Sequence, residues 1–350
     1  MSGPHFHALR VSSIRPEGDD AKVVSFEVPD GLAKQYQFQA GQYLTLKRGE
    51  LRRSYSICAA PGEALRVGVR RVPGGAFSNW LHEQLAVGDV LDVMEPQGRF
   101  GASLQPLAQH VLAVAGGSGI TPILSILKSV LAGHPRARCT LLYGNRRMAS
   151  TMFKEELEDL KNRYLSRLVL HPVFSREDMD SPIHGGRLDA DKIGTLLKMA
   201  GPVDQAFVCG PHAFNDVAEA ALLAGGVAPR HIHVERFGVP PSEADSTLHA
   251  AKAGDATTAV ITIVRDGLRR EVAFQPSDDS ILAAAGRAGL DIPFSCRSGV
   301  CATCRAKVVE GRVCMDRNFA LEPGELEAGF VLTCQAHPLT DRVVVSFDER

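Results

Sequence analysis

The sequence has no uninterrupted apolar segment long enough to cross a bilayer, although 45% of its 350 residues are hydrophobic. Its longest apolar run, over 111–133, is broken by glycines, Pro122 and Lys128, whereas a membrane-spanning helix needs about 20 consecutive apolar residues. We interpret this run as a buried strand, a turn and a helix. The N-terminal residues also lack the apolar region of an export signal. We therefore expect a cytoplasmic protein that has no membrane partner.

An excess of charge of either sign is also absent. The chain has 39 Lys and Arg against 40 Asp and Glu, a formal net charge of -1, and no cluster of basic residues. Nucleic acids and anionic membranes attract clustered Lys and Arg, so we expect no nucleic-acid partner. With 23% charged residues the composition is that of a globular protein, and the length predicts two or three domains.

Cysteine is not among the scarce residues. The chain has eight; three have C-x4-C-x2-C spacing in P-F-S-C-R-S-G-V-C-A-T-C, and a fourth follows in F-V-L-T-C-Q-A-H-P. This is the pattern of a plant-type [2Fe–2S] site. Three sulfurs on one short loop converge only if the backbone curls around the cluster, and Ser298 and Gly299 allow this. The predicted ligands are Cys296, Cys301, Cys304 and Cys334.

Zinc and disulfides are the other interpretations of these cysteines. A zinc ribbon prefers C-x2-C pairs, whereas the first gap here is four residues, and disulfides are typical of secreted proteins. Cys314 lies between Cys304 and Cys334, but we expect it not to be a ligand because the pattern is complete without it. The cysteines that we expect to be small buried or half-buried residues are Cys58, Cys139, Cys209 and Cys314.

The N-terminal part of the chain, up to about residue 103, has short β-rich runs separated by glycine and proline turns, and it predicts an antiparallel barrel. Within it, Arg53-Ser54-Tyr55-Ser56 places a cation, an aromatic face and a hydroxyl on one strand. A surface arginine and a half-buried tyrosine would explain this segment in isolation. Further on, Gly74-Gly75-Ala76-Phe77-Ser78 predicts a glycine turn that opens a helix, whose free N–H groups suit a phosphate. The strands are predicted over 23–28, 43–47, 54–57 and 65–69.

Strands and helices then alternate over 104–238, which indicates a parallel sheet with crossover connections. The first strand runs into Gly116-Gly117-Ser118-Gly119-Ile120-Thr121-Pro122. The glycines let a pyrophosphate approach the backbone, and the helix that follows supplies positive potential. Pro122 suits the first helical turn, but it stands where a full dinucleotide motif has its third glycine. A purely structural turn is therefore the alternative.

The second strand of this alternating region ends in Tyr143-Gly144-Asn145-Arg146-Arg147. In dinucleotide folds an acid at this position bonds the 2′-hydroxyl of NAD, whereas an arginine accommodates the 2′-phosphate of NADP. Two arginines and no acid occur here, so the sequence favours NADPH over NADH. The alternative is that Arg146 and Arg147 are two solvated loop cations.

Taken together, these motifs resemble the ferredoxin–NADP reductase family joined to a C-terminal plant-type ferredoxin, over essentially the full chain. The resemblance implies that Arg53 contacts the pyrophosphate of FAD, that Tyr55 lies on the isoalloxazine ring, and that Ser56 bonds near N5. It also implies that Gly75 and Ser78 take the flavin phosphates. The segment implied to lie by the nicotinamide is Cys209, Gly210 and Pro211. Near the flavin, the resemblance places Glu235 by N5 and Phe237 over the ring, with Ser56 and Glu235 as the catalytic pair.

We therefore predict a multidomain protein with an antiparallel flavin-binding β-barrel (1–103), an α/β parallel-sheet nucleotide-binding domain (104–238), a linker (239–258) and an α+β β-grasp [2Fe–2S] ferredoxin domain (259–350). Proteins of this kind pass electrons from NADPH through FAD and the cluster to the oxygenase component of a multicomponent system. Within the same class, the alternative is that this chain reduces a different acceptor: an aromatic-ring dioxygenase, another monooxygenase or a hybrid-cluster protein. A redox sensor without turnover is the alternative from another class.

Overall fold

The computed structural model describes residues 5–105, 108–238 and 256–349. The chain forms two compact units, of which the first is Phe6–Phe237 and the second contains Gly238–Arg350. Most of the expected linker, residues 239–255, lies outside the described residues. Within the described ranges, no helix is both long and apolar enough to span a membrane.

The first unit begins with a six-stranded antiparallel sheet, in the order β4-β3-β6-β1-β2-β5. Ile57, just after β4, pairs with Val67 on β5 and thereby closes the barrel. The four predicted strands correspond to β2–β5. Strands β1 and β6 were not predicted, because polar residues interrupt both and only alternate positions such as Leu9 and Val11 are buried. The elements are β1 (Phe6–Glu17), β2 (Ala21–Glu27), β3 (Tyr43–Arg48), β4 (Leu51–Ser56), β5 (Arg66–Arg70), α1 (Ala76–Glu83) and β6 (Val90–Met94).

The same unit continues into a five-stranded, all-parallel sheet in the order β11-β10-β7-β8-β9. Its elements are β7 (His110–Gly116), α2 (Ile120–Gly133), β8 (Arg138–Asn145), α3 (Lys154–Tyr164), β9 (Leu168–Phe174), α4 (Ala190–Ala200), β10 (Gln205–Gly210), α5 (His212–Ala224) and β11 (Ile232–Arg236). Strand β7 is buried on both faces: Val111 and Ala113 pack with α2 and α3, whereas Leu112 and Val114 pack with α4 and α5. This confirms the predicted α/β architecture.

The order of these strands reverses between β7 and β10, which are neighbours in the sheet but far apart in the chain. Open α/β sheets bind their ligands in the crevice at such a switch point, beyond the carboxyl ends of the strands. Gly116 and Gly210 end these two strands, so both predicted nucleotide segments lie at this crevice.

The second unit contains a mixed five-stranded sheet in the order β13-β12-β18-β14-β16, with β12 and β18 parallel and the other pairs antiparallel. Its elements are β12 (Ala259–Arg265), β13 (Leu268–Phe274), α6 (Ile281–Arg287), β14 (Arg305–Glu310), β15 (Val313–Met315), α7 (Pro323–Glu327), β16 (Phe330–Leu332), β17 (Ala336–Pro338) and β18 (Arg342–Ser346). Ser280 caps α6 because its hydroxyl oxygen accepts the amide of Ala283 at 3.2 Å. This is the predicted ferredoxin fold, and its cysteine loop lies between α6 and β14.

Candidate functional site

The two predicted flavin segments meet in the barrel although they are about 20 residues apart in the chain. Tyr55 on β4 is half-buried, and its ring centroid lies 6.0 Å from that of Phe77 on α1 at an angle of 42°. Phe77 in turn packs edge-on against Trp80, at 5.4 Å. Arg53, on the same strand, is exposed. Strand β4 and helix α1 therefore place a cation, an aromatic face and a helix N-terminus in one region.

The turn before α1 is built by the side chain of Ser78. Its hydroxyl accepts the amide of Val72 at 3.1 Å and donates to the carbonyl of Gly75 at 3.4 Å. Gly75 is the N-cap, and a Cβ there would lie only 2.7 Å from the Ser78 hydroxyl. Ser78 thus shapes the turn, and the donors left for a phosphate are the N–H groups that begin α1.

The predicted pyrophosphate turn joins β7 to α2 through a short 3-10 segment, Gly117–Gly119. Gly117 has φ +54°, a conformation that favours glycine. A side chain at Gly119 would collide with the carbonyl of Cys209, and one at Gly116 would press on the Phe214 ring. The hydroxyl of Thr121 donates to the carbonyl of Ser118 at 3.0 Å and fastens the turn. Packing inside the protein therefore already requires glycine at Gly116 and Gly119.

The segment Cys209-Gly210-Pro211 lies against this turn. A Cβ at Gly210 would be 3.1 Å from the Cα of Gly116, so the two strand ends are in close contact. Cys209 is fully buried, and burial, with a smaller contribution from the charge of Glu235, raises the pKa of its thiol well above the ordinary value. A thiol that stays protonated is a poor nucleophile. Burial therefore favours a packing role for Cys209, and its position beside the nicotinamide stays a prediction.

Ser56 and Glu235 come together across 179 positions of sequence. The Ser56 hydroxyl donates to Oε2 of Glu235 at 3.5 Å, and Nδ2 of Asn215 on α5 donates to the Glu235 carbonyl at 3.0 Å. Although Glu235 as a whole is half-buried, burial of its carboxyl raises the pKa from 4.5 to about 8. At neutral pH this group therefore holds a proton within reach of Ser56. Phe237 follows β11 and is 40% exposed.

This raised pKa predicts how Glu235 affects stability. Between pH 4.5 and about 8 the folded protein keeps a proton on Glu235 that the unfolded chain releases, so this contribution to stability is present at low pH and declines as the pH rises. The slope is at most about 1.4 kcal/mol per pH unit. We expect Glu235→Gln to gain thermal stability relative to the unaltered protein as the pH increases from 5 to 8. Melting temperatures of both proteins across that range provide the test, and a constant difference between them would contradict the assignment.

Arg146 and Arg147 follow β8 and are exposed. They begin loop 146–153, which leads to α3 and folds back on itself. The hydroxyls of Ser150 and Thr151 both donate to the carbonyl of Arg147, at 3.1 and 3.0 Å. The loop starts at the same edge of the sheet as the pyrophosphate turn, because β7 and β8 are parallel neighbours.

In the second unit, the cysteine loop over 293–304 has no regular secondary structure and curls tightly. Gly299 has φ +77°, and two residues that are not glycine, Arg297 and Ala302, have φ +56° and +54°. The curl points backbone amides at sulfur: Sγ of Cys296 accepts the amides of Ser298 and Cys301, both at 3.4 Å. The predicted role of the Ser298–Gly299 segment in bending this loop agrees with this geometry.

The four predicted ligands converge on one place. The thiol of Cys334 lies within hydrogen-bonding reach of the sulfurs of Cys296 and Cys304, and Sγ of Cys334 also accepts Nε2 of Gln335 at 3.7 Å. Four cysteine sulfurs with N–H donors directed at them form a donor set that suits an iron–sulfur cluster. In the described part of the chain, no group of three or more His, Cys, Asp or Glu meets the geometry for a single metal ion. Cys314 is elsewhere, on β15, and its thiol faces the carbonyl of His337 at 3.9 Å.

Three residues at the nucleotide crevice were not singled out from the sequence. Arg70 on β5 lies over the pyrophosphate turn, since a Cβ at Gly117 would be 2.7 Å from its Nη1. Phe214 packs against Gly116 and Gly210, and Asn215 holds the backbone of Glu235. No local pattern marks these residues, because each makes at least one contact with a segment that is distant in the sequence: Gly117 for Arg70, Gly116 for Phe214 and Glu235 for Asn215.

Comparison with known families agrees with this architecture. Residues 8–101 match the oxidoreductase FAD-binding domain, residues 113–220 the oxidoreductase NAD-binding domain, and residues 263–339 the 2Fe-2S iron-sulfur cluster binding domain. The fold and the site thus define a flavin-dependent, nicotinamide-dependent [2Fe–2S] oxidoreductase.

The similar proteins specify the family further. The chain is 44% identical to a subunit of the 1,2-phenylacetyl-CoA epoxidase of Escherichia coli (strain K12), over 99% of this chain and 98% of that protein. It is 35% identical to the ferredoxin reductase component of 3-ketosteroid-9-alpha-monooxygenase from Mycobacterium tuberculosis (strain ATCC 25618 / H37Rv), over 99% and 97%. Phthalate dioxygenase reductase has the same fold, with a TM-score of 0.60 and 24% identity over 97% and 98% of the two chains. The chain belongs to the family of FAD- and [2Fe–2S]-containing reductase components of oxygenases, which confirms the resemblance and the expected FAD, nicotinamide and [2Fe–2S] cofactors. The preference for NADPH stays a prediction.

Proposed function

We propose that this chain is the reductase component of a phenylacetyl-CoA epoxidase and passes electrons from NADPH to its oxygenase component. Full-length similarity to a protein of that system, at 44% identity, supports the choice of acceptor. The observation that carries the proposal is the contact of Ser56 in the flavin segment of the barrel with Glu235 on β11. Glu235 pairs with Cys209 on β10, so this contact brings the flavin segment next to the proposed nicotinamide segment. A reductase of this type needs that contact because hydride passes only between adjacent rings.

The residues of the first unit have distinct proposed roles. When bound, FAD accepts a hydride from the dinucleotide and releases electrons singly to a [2Fe–2S] cluster. Arg53 and the N-terminus of α1 hold the flavin pyrophosphate, and the half-buried face of Tyr55 supports the ring. Ser56 and Glu235 keep a proton beside the reacting ring. Phe237, at the end of β11, covers that ring.

The residues at the crevice of the sheet hold the dinucleotide. The turn over Gly116, Gly117, Gly119 and Thr121 would take its pyrophosphate, and Cys209-Gly210-Pro211 would lie by the nicotinamide. Arg146 and Arg147 hold the 2′-phosphate, which makes NADPH the preferred donor. The pyrophosphate turn and the Cys209-Gly210-Pro211 segment both lie at the switch point between β7 and β10, where this class of sheet binds nucleotides.

In the second unit, Cys296, Cys301, Cys304 and Cys334 hold the cluster. Plant-type clusters have potentials near about −400 mV, which is low enough to reduce an oxygenase. The cysteines must remain reduced until the cluster assembles, so we infer a cytoplasmic location. The organic substrate binds the oxygenase component and not this chain.

A different relative supports a second candidate acceptor, the oxygenase of a 3-ketosteroid monooxygenase system. The similarity to a 3-ketosteroid monooxygenase reductase also covers the full chain, at 35% identity. The two systems differ in the surface that the reductase must recognise, which no motif in this chain encodes. A redox sensor without turnover is less well supported, because both ends of the hydride path are present in the first unit.

The purified protein is expected to contain one FAD, two irons and two labile sulfides, and to reduce cytochrome c with NADPH. The acceptor is then tested by adding the oxygenase components of a phenylacetyl-CoA epoxidase or of a 3-ketosteroid monooxygenase, with consumption of their substrates as the readout. We expect turnover of phenylacetyl-CoA to exceed that of the steroid. Cytochrome c reduction without turnover of phenylacetyl-CoA would refute the proposed acceptor, and zinc in place of iron would refute the cluster.

A further inference from the structure

Loop 146–153, which carries Arg146 and Arg147, is held by the flavin-binding barrel as well as by its own sheet. The hairpin between β1 and β2 lies directly against it. The amide of Asp19 donates to the carbonyl of Ala149 at 3.1 Å, and Oε1 of Glu17 accepts the amide of Phe153 at 2.7 Å. The barrel therefore contacts the loop at its middle and at its end.

A third contact comes from β5 of the barrel. Nη2 of Arg70 donates to the carbonyl of Ser150 at 2.6 Å. Nε of the same guanidinium lies 3.0 Å from Oδ1 of Asp20, which is part of the hairpin. Arg70 is only 23% exposed and Asp20 39%, so this ion pair is partly shielded from water and keeps the guanidinium directed at the loop.

The barrel contacts act on Arg146 and Arg147 indirectly, through hydrogen bonds within the loop. Ser150, whose own carbonyl accepts Arg70, and its neighbour Thr151 both donate their hydroxyls to the carbonyl of Arg147. At the end of the loop, Phe153 has φ +58° and ψ +28° and is the N-cap of α3 with no side chain capping the helix. This unfavourable conformation of a bulky residue needs external support, and the carboxylate of Glu17 is bonded to its amide.

We propose that the β1–β2 hairpin of the flavin-binding barrel is a specificity device for the dinucleotide, in which Glu17 and the Asp20–Arg70 pair position loop 146–153 so that Arg146 and Arg147 meet the 2′-phosphate. This inference rests on the NADPH preference proposed above. Glu17, Asp20 and Arg70 act here as positioning residues, through the loop. Arginines on an unsupported loop would lose conformational entropy on binding the phosphate, and preordering by the barrel removes part of that cost.

The test uses the FAD- and iron-loaded full chain. The affinities of 2′,5′-ADP, which has the 2′-phosphate, and of 5′-AMP, which lacks it, are measured by calorimetry for the unaltered protein and for Glu17→Ala, Glu17→Gln and Lys128→Met. Glu17→Gln keeps an oxygen acceptor for Phe153. Lys128→Met is the matched control, because Lys128 on α2 bonds Glu156 at 2.8 Å and pairs with Glu63 of the barrel without touching the loop.

We expect Glu17→Ala to lower the affinity for 2′,5′-ADP by about three- to tenfold, the range for one hydrogen bond. The affinity for 5′-AMP should not change. KM for NADPH should rise while kcat stays the same, and amide exchange of peptides covering 146–153 should accelerate. Glu17→Gln should restore most of the affinity, and Lys128→Met should lower thermal stability without changing the ratio of the two affinities. If Glu17→Ala does not fold, Asp20→Ala, which releases Arg70, should lower the same ratio.

Two results would overturn the inference in distinguishable ways. If the unaltered protein binds 2′,5′-ADP no better than 5′-AMP, the NADPH preference fails and the positioning role fails with it. If the unaltered protein discriminates but neither Glu17→Ala nor Asp20→Ala reduces that discrimination, the arginine assignment stands and the hairpin has no part in specificity.

Discussion

Cys301→Ser is expected to eliminate the visible absorption of the iron–sulfur cluster and to lower NADPH-dependent reduction of the oxygenase component by at least about two orders of magnitude. The sulfur of Cys301 converges with those of the other three predicted ligands, and its amide bonds Sγ of Cys296. Loss of residues that only orient a ligand already costs roughly 10- to 100-fold in metal affinity, so loss of a ligand should cost more. The checks are iron and sulfide content, the spectrum, and the rate with the oxygenase.

The matched control is Cys314→Ser. Cys314 lies in the same unit and is also half-buried, but its thiol faces a backbone carbonyl on β17. This variant should keep both irons, its spectrum and its rate. Both variants should retain FAD and reduce ferricyanide with NADPH, because the flavin site is in the first unit. Loss of the cluster in Cys314→Ser with retention in Cys301→Ser would mean that the fourth sulfur has been assigned to the wrong residue.

Replacement of both Arg146 and Arg147 by Ala is expected to raise KM for NADPH by about ten- to a hundredfold. A hydrogen bond to a charged group contributes on the order of 1.5–3 kcal/mol, and about 1.4 kcal/mol corresponds to a factor of ten. The 2′-phosphate is remote from the hydride, so its contacts provide uniform binding and kcat should be unchanged. Steady-state kinetics with NADPH and NADH measure the effect.

NADH serves as the internal control in that experiment, because it lacks the 2′-phosphate. Its KM and kcat should differ little between the unaltered protein and the double variant, and the unaltered protein should favour NADPH by at least about tenfold. Equal use of both dinucleotides by the unaltered protein, or equal impairment with both in the variant, would show that Arg146 and Arg147 are only solvated loop residues.

Sequence alone was sufficient where chemistry depends on neighbours in the chain. The cluster loop was predicted because three sulfurs within nine residues leave the backbone few conformations, and the structure shows the curl with amides directed at Cys296. The turn after β7 and the helix after Gly75 were predicted for the same reason, since glycines before an apolar helix restrict the local geometry. The alternation of strands and helices likewise predicted the parallel sheet.

Only the tertiary structure decided which distant residues act on these segments. Ser56 meets Glu235, and Glu17 and Arg70 meet the loop of Arg146, because the chain returns to the barrel after many intervening residues. Strand order and the packing of one sheet on another determine such contacts, and no spacing along the chain records them. The raised pKa of Glu235 also could not be predicted from the sequence, because it results from burial in the folded protein. Identities of residues thus determined which cofactors this protein binds, whereas the long-range fold determined how its side chains are positioned around them.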